Sequence, residues 1–207
     1  MKLKINPTRQ ELLKIKKRLK TAQSGHALLK EKLDGLMQEF LANIKDLKAS
    51  REILEERIPP ALFDFFSSEN RIGENKMTGL ISHLPLSEID LLFFSVMGVK
   101  IRKGEVKNLE EIEKAKISLL SGDNLLYRSK KEISGSLNDI LNYANLTVKI
   151  RLLAEEIEKT RRRVNSLEYV YIPEMIRIKK YISQKLEERE RFDRTVILKL
   201  KELIEAK

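Results

Sequence analysis

The chain has 207 residues, 42% hydrophobic and 35% charged, with 6% aromatics and no Trp, the profile of long thin helices that bury one stripe and solvate the rest. It lacks cysteine, which excludes disulfide frameworks and thiolate chemistry and fits a reducing, cytosolic setting; no apolar run is long enough for a membrane span or placed like a signal peptide. The net charge of +10 points to an anionic neighbour: nucleic acid, a membrane surface or an acidic protein wall.

After a short leader, Asn6-Pro7-Thr8-Arg9 reads as a helix start, with Asn6 as N-cap and Pro7 at the first helical position. Glu11 then suits the positive end of the helix dipole. A heptad run follows. Position a holds Leu12, Leu19, His26, Leu33, Phe40, Leu47 and Leu54; position d holds Ile15, Ala22, Leu29, Leu36, Asn43 and Ser50. This unbroken period of 3.5 keeps one seam against one partner helix over a long distance. Gly25, with Ala22 and Ser24 nearby, predicts close approach of a partner backbone. His26 reads as a packed, hydrogen-bonded seam residue and not a ligand, and Asn43 as a register-fixing polar seam residue. Ile58-Pro59-Pro60 is expected to end the helix, because proline lacks the N–H and restricts the residue before it.

Residues 59–133 differ in kind. The glycines and prolines concentrate here and the heptads vanish. Ala61–Phe66 is apolar and aromatic, and Ser67–Asn75 is polar and turn-rich. Around residues 90–108 a dense apolar run, an alternating Val99-Lys100-Ile101-Arg102 stretch and then Lys103-Gly104 predict strand, tight turn and short return strand. A short helix over Asn108–Leu120 follows.

From about Ser134 a helical seam resumes: Leu146, Ile150, Leu153, Ile157, Thr160, Val164, Leu167 and Tyr171, then Met175, Ile178, Ile182, Leu186, Arg189 and Asp193. Successive steps of four are stutters that locally unwind a left-handed supercoil. Pro173 sits at the first slip and predicts a kink in the shaft. The fold expected is dominated by α-helix. Residues 1–58 and 134–207 form a long antiparallel two-helix coiled coil, and 59–133 form a small head with a short β-hairpin. A parallel homodimer is the alternative; it would leave two unequal helices unpaired within one chain.

Charge is concentrated in both helical segments. Residues 1–58 carry 14 Lys+Arg against 8 Asp+Glu, and 149–207 carry 16 against 11. No catalytic constellation is present, and neither a metal-ligand cluster nor a glycine-rich phosphate loop occurs. No cofactor is expected. Arg161-Arg162-Arg163 could grip phosphate, though a solvated helix face accounts for it equally well. Aromatics do not interleave with the basic residues, which argues against a single-strand stacking platform.

Four strings in order, Asn6–Arg9 (NPTR), Ala22–Asp34 (AQSGHALLKEKLD), Val96–Val99 (VMGV) and Thr160–Pro173 (TRRRVNSLEYVYIP), resemble the D-subunit family of V-type and archaeal A-type ATPases. The resemblance covers essentially the whole chain. It implies a non-catalytic rotor shaft of a rotary ion-translocating ATPase, cytoplasmic and peripheral to the membrane, which carries torque between ATP turnover and proton or sodium movement. Its tip would insert into the hexamer of catalytic and non-catalytic nucleotide-binding subunits. The head would contact the small F subunit of the central stalk and the membrane-ring adaptor subunit. On that footing Asn6, Pro7, Thr8 and Arg9 face the bore together with a basic collar of Lys14, Lys16, Lys17, Arg18 and Lys20, with Lys199 and Lys201. The rival reading is a basic coiled-coil protein that binds or tethers nucleic acid, with the steep salt dependence of counterion release.

Overall fold

A computed structural model describes residues 6–115 and 123–205. Helix α1 (Arg9–Ile72) is followed by α2 (Glu74–Ile81), strands β1 (Ile89–Val96) and β2 (Val99–Val106), α3 (Leu109–Lys114) and α4 (Asn124–Ser166). A π-helical turn, Leu167–Tyr171, joins α4 to α5 (Ile172–Glu205). The chain packs as two compact units: Met1–Asp34 with Glu158–Lys207, and Gly35–Ile157.

In the first unit α1 runs antiparallel to the C-terminal helices. Arg9 pairs with Glu190 at 2.8 Å, and His26 Nε2 lies 3.4 Å from Glu168 Oε2. Ile15, Ile178 and Ile182 form its core, with Leu12, Met175 and Leu186 packed around them. The seam residues expected from the heptads are buried or half-buried through Leu186 except Tyr171, which is exposed, as are Arg189 and Asp193. His26 is half-buried beside Glu168, as expected of a packed seam histidine.

Two local details differ from the sequence reading. The N-cap is Thr8 and not Asn6: its Oγ1 accepts the Glu11 N–H at 3.2 Å and its carbonyl accepts that of Leu12. Thr8 and Glu11 carry the capping-box spacing, and the hydroxyl satisfies a donor that Asn6, two residues earlier, is too far back to serve. A Cβ on Gly25 would meet nothing within 4 Å, so no backbone approaches there. Pro173 is the second residue of α5, directly after a π turn in which Ile172 N–H bonds the Leu167 carbonyl. That five-residue step absorbs the stutter within one wide turn.

In the second unit α1 and α4 run antiparallel. Cross-ties are Glu39–Lys149 at 2.6 Å, Arg57–Asp139 at 3.0 Å, Arg128–Asp64 at 3.3 Å and Arg71–Asp123 at 3.3 Å. Leu36 and Leu153 are fully buried. The expected helix end at Ile58 is overturned: α1 passes through Pro59 and Pro60 and stops at Ile72, before Gly73 at φ +87°. An interior proline costs about 3 kcal/mol in a helix. Packing against α4 offsets that on both sides, through Arg57–Asp139 before the pair and Ser129 Oγ donating to the Ala61 carbonyl at 2.7 Å just after it. The stretch read as turn-rich therefore contains the last turns of α1 and the start of α2. α4 likewise begins at Asn124, earlier than Ser134. Met77 and Leu126 centre a small core with Phe65, Ile72, Leu80, Ile81 and Leu84. α3 ends at Lys114; the remainder of the helix expected to Leu120 falls mostly outside the described residues.

The hairpin exists, but its turn is Met97-Gly98 and not Lys103-Gly104. Both turn residues have positive φ, 50° and 84°, the mark of the type I′ turn that matches strand twist. Lys103 and Gly104 lie within β2, opposite Leu92 and Leu91. Met97 rests on α1 at Gly35, where an added Cβ would collide with Met97 Cε. Gly104 rests on α4: its N–H donates to Asn145 Oδ1 at 2.8 Å, and Asn145 Nδ2 donates to its carbonyl at 2.9 Å. Val99, Ile101 and Gly104 of β2 are buried, while β1 is exposed over nearly its whole length.

Candidate functional site

The residues expected to bind partners at the basic end of α1 lie in the first unit. Asn6, Thr8, Arg9, Lys14, Lys16, Lys17, Arg18 and Lys20 are exposed, and Pro7 is half-buried. Burial of Ile15 and Leu19 on the seam leaves these polar positions on the faces that look to solvent. Arg9 is held by Glu190, and Lys14 by Glu11 at 2.7 Å. Lys16, Lys17, Arg18 and Lys20 make no ion pair among the described residues. Lys14, Lys17 and Arg18 converge with Thr21, Ala22, Leu167 and Tyr171 on an open groove of 400 Å³. Lys16 and Lys20 do not line it. The π turn that widens the helix before Pro173 thus supplies the opposite wall of a basic groove.

Lys199 and Lys201 lie on α5 beyond Glu190, where the partner helix starts. Lys201 pairs with Glu205 at 3.4 Å. Every described residue from Arg191 onward is exposed. Among them are Phe192, Val196, Ile197, Leu200, Leu203 and Ile204, from 39% exposed at Val196 to 75% at Ile204. The steps 192, 196, 200 and 203 put four of these on one helical stripe. An apolar stripe therefore stands beside the cations of this helix end. Sequence reasoning followed the seam into Arg189 and Asp193 and missed this second stripe, whose signal was its own spacing of four, four and three.

Among the described residues no three His, Cys, Asp or Glu side chains could hold a metal ion. No described helix is long and apolar enough to cross a membrane. Perturbed protonation occurs at structural contacts. The Lys149 ammonium, then the Asn43 amide, hold the Glu39 carboxyl below its ordinary value. Burial pushes Lys130 down, while its ammonium donates to the Glu113 carbonyl at 2.8 Å.

Known proteins resemble this sequence along nearly the whole chain. The family model for the ATP synthase D subunit matches residues 11–202. The V-type ATP synthase D subunit of Clostridioides difficile is 36% identical over 207 residues, covering 98% of this chain and 92% of the relative. That of Enterococcus faecalis is 35% identical over 206 residues, covering 98% and 97%. The match spans the basic first turns of α1, the hairpin and nearly all of α5, and on it the chain belongs to the ATP synthase D-subunit family.

Proposed function

We infer that the chain is a non-catalytic central-stalk subunit of a rotary V-type ATP synthase, which carries torque between nucleotide turnover and ion translocation. Near-full-length family membership carries this reading. The physical arrangement supports it. Two wound helices resist twist better than one, and unequal helices with a π turn have no rotational symmetry, so surrounding sites would each meet a different face. The nucleic-acid reading is left without support.

In finer detail, residues 1–58 and 134–207 serve as shaft and 59–133 as head. The basic first turns of α1 and the end of α5 enter the hexamer of catalytic and non-catalytic subunits. The head meets the small F subunit of the stalk and the adaptor on the membrane ring, on the cytoplasmic side. The exposed tip suits a bearing for two reasons. Solvated charge contacts are individually weak, about 0–1 kcal/mol. Apolar contact is non-directional, so a turning helix end breaks no aimed bonds. Reconstitution with the nucleotide-binding and membrane subunits tests the reading. ATP-driven ion transport is expected only when this chain is present. Equal transport in its absence would refute the shaft role.

A further inference from the structure

The hairpin has two edges with different fates. Hydrogen bonding in an antiparallel pair alternates between residues that bond across the ladder and residues whose N–H and C=O point away from it. The two-residue turn closes on the bonded pair Val96 and Val99. At the far end Lys107 N–H bonds the Glu88 carbonyl at 2.9 Å, which keeps the same phase. Phe94, Leu92 and Asp90 therefore bond inward. Ile89, Leu91, Phe93 and Ser95 present their backbone groups to the other side. On β2 the outward groups of Gly104 are taken by Asn145. On β1 the outward edge meets no backbone hydrogen-bond partner among the described residues.

Exposed edges are ordinarily blunted by charge, proline or a bulge. β1 has one charge, Asp90, and Lys107 holds it at 2.9 Å. Its outward positions are Ile, Leu, Phe and Ser, with Leu91 57% and Phe93 73% exposed. Arg102 and Lys100 stand opposite Phe93 and Ser95 on β2, exposed and without an ion pair among the described residues. A naked apolar edge beside two free cations favours an extended segment whose apolar residues alternate with acidic ones. A second copy of the same hairpin fits poorly, because it would bring the like cations together.

We propose that β1 is a docking edge on which another subunit of the assembly adds a third strand, apolar and acidic in alternation, aligned along Ile89–Ser95. Main-chain bonds give the affinity, and Arg102 and Lys100 select the acidic partner. This rests on the central-stalk reading and adds a binding mode to it.

Amide hydrogen exchange resolved to single residues, on the free chain and on the reconstituted complex, tests both. In the free chain Leu92 and Phe94 are protected while Leu91 and Phe93 exchange quickly. In the complex Leu91 and Phe93 become protected as well. Leu91→Pro removes one outward N–H and no ladder bond, so Phe94 stays protected in the free variant and retention in the complex falls about tenfold. Leu92→Pro, by contrast, opens the hairpin itself. Unchanged exchange at Leu91 and Phe93 in a complex that still couples ATP turnover to transport would overturn the docking edge and leave the central-stalk reading intact. Protection at those amides in the isolated chain at high concentration would assign the edge to a second copy. A chain that enters no complex would sink both.

Discussion

The two units join antiparallel helices by different chemistry. In the first, Ile15, Ile178 and Ile182 meet as apolar knobs, and Arg9–Glu190 is an exposed ion pair. In the second, the buried Leu36 and Leu153 are supplemented by cross-helix ion pairs and, among the described residues, by one hydroxyl bond between helices, from Ser129 to Ala61. Among the described residues the buried polar ones are Asn43, Ser68, Ser129, Ser134 and Ser136 in the second unit and Thr160 in the first, so hydroxyls and amides mark the second unit. Apolar knobs set how strongly two helices adhere, and an equivalent knob one heptad away serves nearly as well. A hydroxyl aimed at one carbonyl, as Ser129 is at Ala61, is satisfied in a single register. The second unit also carries the hairpin, which Met97 and Asn145 attach to α1 and α4, so a slip there would misplace it.

Truncating a knob should have the largest effect. Ile182→Ala removes a fully buried side chain and should destabilise by about 2–5 kcal/mol in urea unfolding. A loss well under that would mean the apolar seam is not what holds the first unit. Ser129→Val should cost about 1–3 kcal/mol, by crowding the contact and losing the bond to Ala61. If register is what this residue supplies, spin labels on α1 and α4 in the second unit should also report more than one spacing.

Much of this was legible in the sequence. The a and d positions of α1, from Leu12 to Ser50, are all buried or half-buried, because a period of 3.5 leaves one way to pack. The prolines misled because local propensity was set against packing that lies far away in sequence: Asp139 and Ser129 hold α1 together across Pro59-Pro60. The turn misled because Met at positive φ is unfavourable in isolation, and Lys-Gly looked the better turn. Met97 is held by its seat at Gly35, which no local pattern records. At the candidate site the cations were legible one by one. Their grouping around Leu167 and Tyr171 was not, since it depends on the π turn.

The two glycines of α1 sharpen the comparison at smaller scale. Gly25→Ala, in open space within the first unit, should stabilise by about 1 kcal/mol through helix propensity alone. Gly35→Ala must displace Met97 Cε and should give less, or none, in the same thermal melt. Equal gains would show that the hairpin tip is not seated on α1.

The smallest effect concerns Glu39, whose carboxyl Lys149 and Asn43 hold below the ordinary 4.5. The unfolded chain then binds more protons near that pH, so this contribution is complete above about pH 4.5 and fades as pH falls through the lowered value. Tm measured from pH 6 to pH 3 should drop more steeply for the native chain than for Glu39→Gln. Parallel curves would remove this tie from the account of the second unit.

The uncovered stripe from Phe192 to Ile204 also governs how the free protein behaves in the tube. The chain's net charge of +10 opposes association through that stripe by repulsion, which reaches about 30 Å at 0.01 M salt and about 3 Å at 1 M. Concentrated stocks should stay clear in dilute buffer and cloud as salt is added, the reverse of the salting-in usual for a basic protein that sticks by charge.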